Sequence, residues 1–163
     1  MNDKKLQPGT PIDLFMILIS KKMRYVFLFV LLFMWINSSY KKAAKKAVIS
    51  SLFSLIINRL IKSVYFKPRP FMKRRIGILI PSKTDSSFPS KHTLLVFSIS
   101  TSVFLYERFI GSIMWGLSML TGFSRIWLGH HYPIDIIGSA FIGSFVSILT
   151  DKTFRFLKSK DLA

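Results

Sequence analysis

The sequence predicts an all-α fold, a polytopic transmembrane helical bundle, and three observations predict it. Half of the 163 residues are hydrophobic, with 16 phenylalanines among them. The apolar residues cluster into runs, several approaching the roughly 20 residues that cross a bilayer as a helix. Between the runs lie basic connections: 24 Lys and Arg stand against 7 Asp and Glu, a formal net charge of +17.

Residues 1–10 form a polar tail. Ile12 to Ile19 is apolar but too short to span, and is expected as an interfacial helix pinned by Lys21, Lys22 and Arg24. A short sixth span is the alternative reading. Lys4 and Lys5 are followed by Pro8, Gly9 and Pro11, and the first apolar run ends without a small-residue cleavage pattern, so no cleaved signal peptide is expected. Tyr25 to Ile36, extended to Tyr40, reads as the first full span. Lys41 to Lys46 reads as a basic connection whose lysines snorkel to the head groups. Ala47 to Ile61 is the second span, with Asn58 and Arg59 where it leaves the hydrocarbon.

Lys62 to Lys91 is the longest polar connection, and Pro68, Pro70, Pro81 and Pro89 break any helix through it. Thr93 to Tyr106 is the third span, and Glu107-Arg108 a tight turn. Phe109 to Leu128 is the fourth span and Ile134 to Leu149 the fifth. Asp151 to Lys160 is a basic, partly aromatic tail suited to a membrane surface. The expected architecture is therefore five spans plus a short N-terminal helix, in a single membrane-embedded domain over residues 1–163, with 1–22 as its interfacial segment.

The charge fits attraction to anionic lipid head groups and, secondarily, an anionic substrate. Nucleic acid is not an expected partner, because the cations alternate with apolar runs and do not line a soluble surface. With no cysteine, thiolate catalysis, disulfides and cysteine metal sites are excluded.

Five spans bring the 62–91 and 124–135 connections to one side. The Lys41–Lys46 connection, the Glu107-Arg108 turn and the C-terminus share the other, which the positive-inside rule makes cytoplasmic. The long connection is nevertheless basic, and that excess needs a reason other than topology. Three clusters supply one: Lys62-x6-Arg69-Pro70, then Phe88-Pro89-Ser90-Lys91-His92, then Ser124-Arg125-x5-His131-x3-Asp135.

Singly, each residue has an ordinary structural role. Lys62 complements a helix C-terminus, Arg69 is a loop cation, Ser90 is an N-cap, His92 is a first-turn residue and Asp135 is a first-turn acid behind Pro133. Together they hold all three histidines of the chain on one side of the membrane. Ionisable residues at a membrane are costly and mark function. Arg69 and Arg125 offer planar bidentate donors for a phosphoryl group, and Lys62 adds a point charge. The N–H groups near Ser90 to His92 add a helix N-terminal anion site. His131, four residues before Asp135, is expected as a nucleophile oriented directly by that carboxylate, and His92 as the general acid. No carboxylate cluster suits magnesium or manganese. His92, His130, His131 and Asp135 could make a zinc set, but the surrounding arginines favour an anion, and no metal or cofactor is expected.

The clusters, in this order and spacing, resemble the type 2 phosphatidic acid phosphatase superfamily, whose signature is K-x6-R-P, P-S-G-H and S-R-x5-H-x3-D. The resemblance covers roughly Ala47 to Leu149. It implies a metal-independent phosphatase with its catalytic core over 47–149. Lys62, Arg69, Ser90 and Arg125 would hold the phosphate. His131 would form a phosphohistidine, Asp135 would orient it and His92 would protonate the leaving group. His130 matches no signature position. Lys91 replaces the usual glycine, and either adds charge toward a diphosphate or points to head groups. The stretch from Arg69 to Ser90 looks most like bacterial undecaprenyl-diphosphate phosphatases of the bacitracin-resistance type. That implies a polyprenyl diphosphate substrate, hydrolysed at the extracytoplasmic face of the cell membrane to recycle the cell-wall carrier lipid. A phosphatidic acid or phosphatidylglycerophosphate phosphatase using the same residues is the alternative. A non-enzymatic basic lipid-binding membrane protein is the alternative of another class.

Overall fold

The computed structural model describes residues 9–73 and 84–160 of the chain. They form six helices: α1 (Pro11–Ile36), α2 (Lys41–Val64), the single-turn α3 (Pro70–Lys73), α4 (Lys91–Phe104), α5 (Arg108–Trp127) and α6 (Pro133–Lys160). There is no strand among the described residues, and the predicted all-α bundle is what the chain builds. Helices α2 and α6 are each long and apolar enough to cross a bilayer. Large apolar side chains such as Phe29, Ile36, Phe109 and Phe141 stand exposed on the outer faces of α1, α5 and α6, as lipid-facing residues do.

Helix α4 is the axis of the bundle. Ten of its residues are buried, from Thr93 to Val103, and α2, α5 and α6 pack around it. Much of that packing is polar. Ser100 meets Ser118 of α5 at 2.7 Å, Ser102 meets Ser147 of α6 at 2.6 Å and Ser50 of α2 at 3.1 Å, and Thr101 donates to Ser144 at 3.0 Å. Lipid tails give helices no hydrophobic reason to associate, so small and hydroxyl-bearing residues supply close approach and hydrogen bonds instead. Gly143 shows how close: a Cβ there would lie 2.4 Å from the carbonyl oxygen of Leu94.

The N-terminal expectation is corrected. Ile12 to Ile19 is not a separate interfacial helix but the opening of one 26-residue helix that continues through Lys21, Lys22 and Arg24 to Ile36. Lysine, arginine and methionine are good helix formers, and nothing between Ser20 and Tyr25 breaks the hydrogen-bond ladder. Thr10 caps the start, accepting from the Asp13 N–H while the Asp13 carboxylate accepts from the Thr10 N–H, with Pro11 at the first helical position. Met16, Ile19, Ser20, Met23 and Phe27 form its buried stripe.

Other boundaries shift for similar reasons. Lys41 to Lys46 is the first turns of α2 and not a loop, and α6 runs on through the expected tail to Lys160. Lys46 pairs with Asp151, which Arg155 also holds, so the start of α2 lies beside the far part of α6. In the long connection, Pro70 starts α3 where a missing N–H costs nothing, while Pro81 lies outside the described residues.

Candidate active site

At the end of the bundle opposite the Lys46–Asp151 pair, the start of α4, the ends of α2 and α5, the middle of α1 and the connections 65–69, 84–90 and 128–132 surround a cleft of about 720 Å³. Lys62, Arg69, Lys91, His92, Arg125, His130 and His131 line it, so seven residues from all three sequence clusters meet in one place. Asn58, Asp85, Ser20, Lys21 and Arg24 line it as well.

His131 follows the turn that ends α5. Gly129 takes φ +69°, which a side chain would strain, and turns the chain back so that His130 and His131 are both buried. The His131 Nδ1 lies 2.7 Å from the Ser87 carbonyl oxygen. A carbonyl only accepts, so Nδ1 carries the proton and Nε2 keeps its lone pair. Nε2 lies 3.5 Å from Arg69 Nη1. Burial, and then the charges of Arg69 and Arg125, push the His131 pKa down to about 2, so the ring is neutral at physiological pH. A neutral imidazole with an unprotonated nitrogen on a cationic cleft is a competent nucleophile toward phosphorus.

Asp135 does not orient His131 directly, as the four-residue spacing suggested. The carboxylate is fully buried. It accepts from Ser87 Oγ and from Lys67 Nζ, each at 2.5 Å, and from the Tyr132 N–H at 3.1 Å. Ser87 stands between the two side chains, its hydroxyl on Asp135 and its carbonyl on His131. Neither Ser87 nor Lys67 was singled out in the sequence. Lys67 could not have been paired with an acid 68 positions away, and Ser87 acts at His131 through its main chain.

Arg69 is buried, and its guanidinium spans the site. Nη2 donates to Asp85 Oδ1 at 2.6 Å, Nε to the Asp85 carbonyl at 3.2 Å and Nη1 to the His130 carbonyl at 3.4 Å. Lys62 donates to Asp85 Oδ2 and to the Ser86 carbonyl, both at 2.8 Å. One carboxylate thus sits on two of the cations expected to hold phosphate. Burial opposes ionisation of Asp85, but the Lys62 hydrogen bond and the Arg69 charge outweigh it and hold its pKa below the usual carboxylate value. His130, which matches no signature position, still borders the cleft and supplies a carbonyl to Arg69.

Arg125 donates from Nη1 to Ser20 Oγ of α1 at 2.6 Å, while its Nε is buried with no hydrogen-bond partner. Buried polar atoms are seldom left so, and an unmatched guanidinium N–H beside a cleft suits an anion. Ser90 departs from its expected role. It is fully buried, its hydroxyl accepts from Thr93 at 3.1 Å, and its N–H is taken by Ser139 at 2.7 Å. The helix N-terminal anion site is therefore reduced to the N–H groups that follow it on α4. Lys91 is the first residue of α4 with an ordinary negative φ, so replacing glycine there costs no strain. Among the described residues no group of three or more His, Asp or Glu side chains is placed to hold a metal ion.

A membrane helical bundle with histidines and arginines converging on a polar cleft defines a membrane-bound phosphoryl-transfer protein. The pattern of the PAP2 superfamily matches residues 43–158, and the chain belongs to that superfamily. It is 39% identical over 147 residues to undecaprenyl-diphosphatase BcrC of Bacillus subtilis, across 89% of this chain and 75% of that one. It is 30% identical to an undecaprenyl-diphosphatase of Sulfolobus acidocaldarius, across 83% and 67%. The crystal structure of Aquifex aeolicus LpxE superposes with a TM-score of 0.78 at 27% identity, covering 89% of this chain and 88% of that one. The protein is a membrane lipid phosphatase.

Proposed function

We propose that the protein hydrolyses undecaprenyl diphosphate to undecaprenyl phosphate and inorganic phosphate, recycling the carrier lipid of cell-wall synthesis. In this reading the protein is multi-pass, and its cleft opens at the extracytoplasmic face. The observation that carries the reaction is the His131 ring: neutral, protonated on Nδ1, with Nε2 beside Arg69 on the cationic cleft. The substrate rests on the named similarity to undecaprenyl-diphosphatases.

Nε2 of His131 attacks the terminal phosphorus, and the bond from that phosphorus to the bridging oxygen breaks. Burial and then the Arg125 charge lower the His92 pKa to about 4, so His92 takes up its proton with the bound phosphate, whose charge offsets that of Arg125, and delivers it to the departing lipid phosphate. Arg69, Arg125 and Lys62 spread over the oxygens of the transferring group, where charge-directed donors stabilise the transition state. Ser90 positions the first turn of α4 and with it Lys91 and His92. Asp135, through Ser87, fixes the loop that sets the His131 tautomer. Water then attacks the phosphohistidine, releases phosphate and restores the ring. The catalytic unit is residues 47–149.

The test is phosphate release from undecaprenyl diphosphate, phosphatidic acid and phosphatidylglycerophosphate, with chelator present, by wild type and His131→Ala. The polyprenyl diphosphate should be turned over fastest, and His131→Ala should lose on the order of 10³-fold or more. Faster turnover of a glycerolipid overturns the substrate, and an active His131→Ala overturns the mechanism.

A further inference from the structure

The cleft holds more positive charge than one phosphoryl group needs. Six cationic side chains line it, Lys21, Arg24, Lys62, Arg69, Lys91 and Arg125, against the single carboxylate of Asp85. That carboxylate is paired with Lys62 and Arg69. Among the described residues no carboxylate forms an ion pair with Lys21, Arg24, Lys91 or Arg125. A terminal phosphate carries about −1.5 to −2 at neutral pH, and a diphosphate ester adds one further charge on its inner phosphate.

The α1 cations are held in place by the site itself. Arg125 grips Ser20 at 2.6 Å, and Trp127 Nε1 donates to Asp13 at 2.9 Å, so α1 is tied at two levels to the end of α5 that leads into the His131 turn. Arg24 lies one turn beyond Ser20 on the same helix face, and Lys21 adjoins it. The Arg24 guanidinium donates to Tyr25 Oη at 2.9 Å and lies over that ring, 4.7 Å from its centre. At 1.5 Å per residue, Lys21 and Arg24 sit roughly 15 Å and 20 Å along α1 from Pro11, below its capped end. Simple head-group anchors would be expected at the helix end, turned outward to the lipid surface, whereas these two border the cleft.

We propose that Lys21 and Arg24 of α1, with Lys91 at the start of α4, form a second anion subsite that takes the inner, lipid-linked phosphate of a diphosphate ester. It adjoins the subsite of Lys62, Arg69, Arg125 and His131, which takes the terminal phosphate. This deepens the proposed function and rests on its assignment of the terminal phosphate to His131. The subsite makes the cleft selective for two linked phosphates over one.

The experiment compares inorganic diphosphate and inorganic phosphate as competitive inhibitors of the purified protein in detergent. The reporter is whichever lipid phosphate the wild type turns over. Wild type should bind diphosphate more tightly than phosphate by roughly tenfold or more. Lys21→Gln/Arg24→Gln should erase most of that preference while leaving inhibition by phosphate unchanged. Lys22→Gln removes one positive charge from a neighbouring position outside the cleft and should keep the preference. Equal weakening toward both anions, an unchanged preference in the double variant, or the same loss in Lys22→Gln overturns the subsite. Unchanged inhibition by phosphate shows that the double variant is folded. If the reporter proves to be a glycerolipid monophosphate, the polyprenyl substrate fails, while the diphosphate preference still reads the subsite.

Discussion

Asp85 makes the sharpest prediction, because it places a negative charge where the substrate's phosphate is expected to bind. Its two oxygens lie 2.8 Å from Lys62 Nζ and 2.6 Å from Arg69 Nη2. A phosphoryl group must replace these contacts or share them. The carboxylate side chain is 45% exposed, so each pair is screened and worth about 0.5–1 kcal/mol. Two such pairs give about 1–2 kcal/mol, or roughly 5- to 30-fold in phosphate affinity. Asp85→Asn removes the charge and keeps the shape. Inorganic phosphate should then inhibit more strongly by roughly that factor, and KM for the lipid substrate should fall. The sign with pH follows from the depressed pKa of Asp85: its pairing is complete above the ordinary carboxylate range and is lost only as pH falls through its own lower pKa. The wild-type and Asp85→Asn inhibition constants should therefore differ across neutral pH and approach each other only in acid. The assay is a phosphate inhibition series at pH 7 on both proteins. Weaker phosphate binding in Asp85→Asn would refute the reasoning and make Asp85 a support that holds Lys62 and Arg69 in place for the substrate.

Two further outcomes are expected. Lys67→Met leaves the buried Asp135 carboxylate without its cation, a change that costs about 3–5 kcal/mol where a buried pair is broken. Its thermal midpoint in detergent should fall clearly, and the Lys67→Met/Asp135→Asn double variant should recover part of the loss; no recovery would show that the pair is not coupled. Because the folded His131 keeps a pKa near 2 while the unfolded ring titrates near 6.5, the unfolded state gains a proton as pH falls below about 6.5. Stability should therefore drop from pH 7 to pH 5, and more steeply than in His131→Gln; identical slopes would contradict a neutral buried ring.

What the sequence made legible was the composition of the cleft and the order of the helices. Lys62, Arg69, His92, Arg125 and His131 stand in clusters whose spacing is local, and apolar runs between them dictate which ends meet. Contacts set by the third dimension were not legible. The 21–24 cations interrupt the hydropathy of α1 and so read as the end of a helix, yet in the fold they border a polar cleft and the helix continues. The four-residue step from His131 to Asp135 suggested a direct contact because the two residues are close in the chain. His131 lies in the turn before α6, and Ser87 fills the gap between the two side chains. Ser90 reads as a phosphate ligand by its place in the signature, but a neighbouring helix uses its N–H through Ser139. Such partners, 49 positions apart, leave no mark in a linear pattern.

The hydrogen bond from His131 Nδ1 to the Ser87 carbonyl has a consequence for how this proposed nucleophile can vary. Every residue type, proline included, carries a main-chain carbonyl. A substitution at position 87 can remove the hydroxyl that serves Asp135, but it cannot remove the oxygen that holds the imidazole proton. The protonation pattern of the His131 imidazole is thus encoded in the path of the chain. It can be inherited through changes of side chain that would erase a carboxylate–histidine pair in one step.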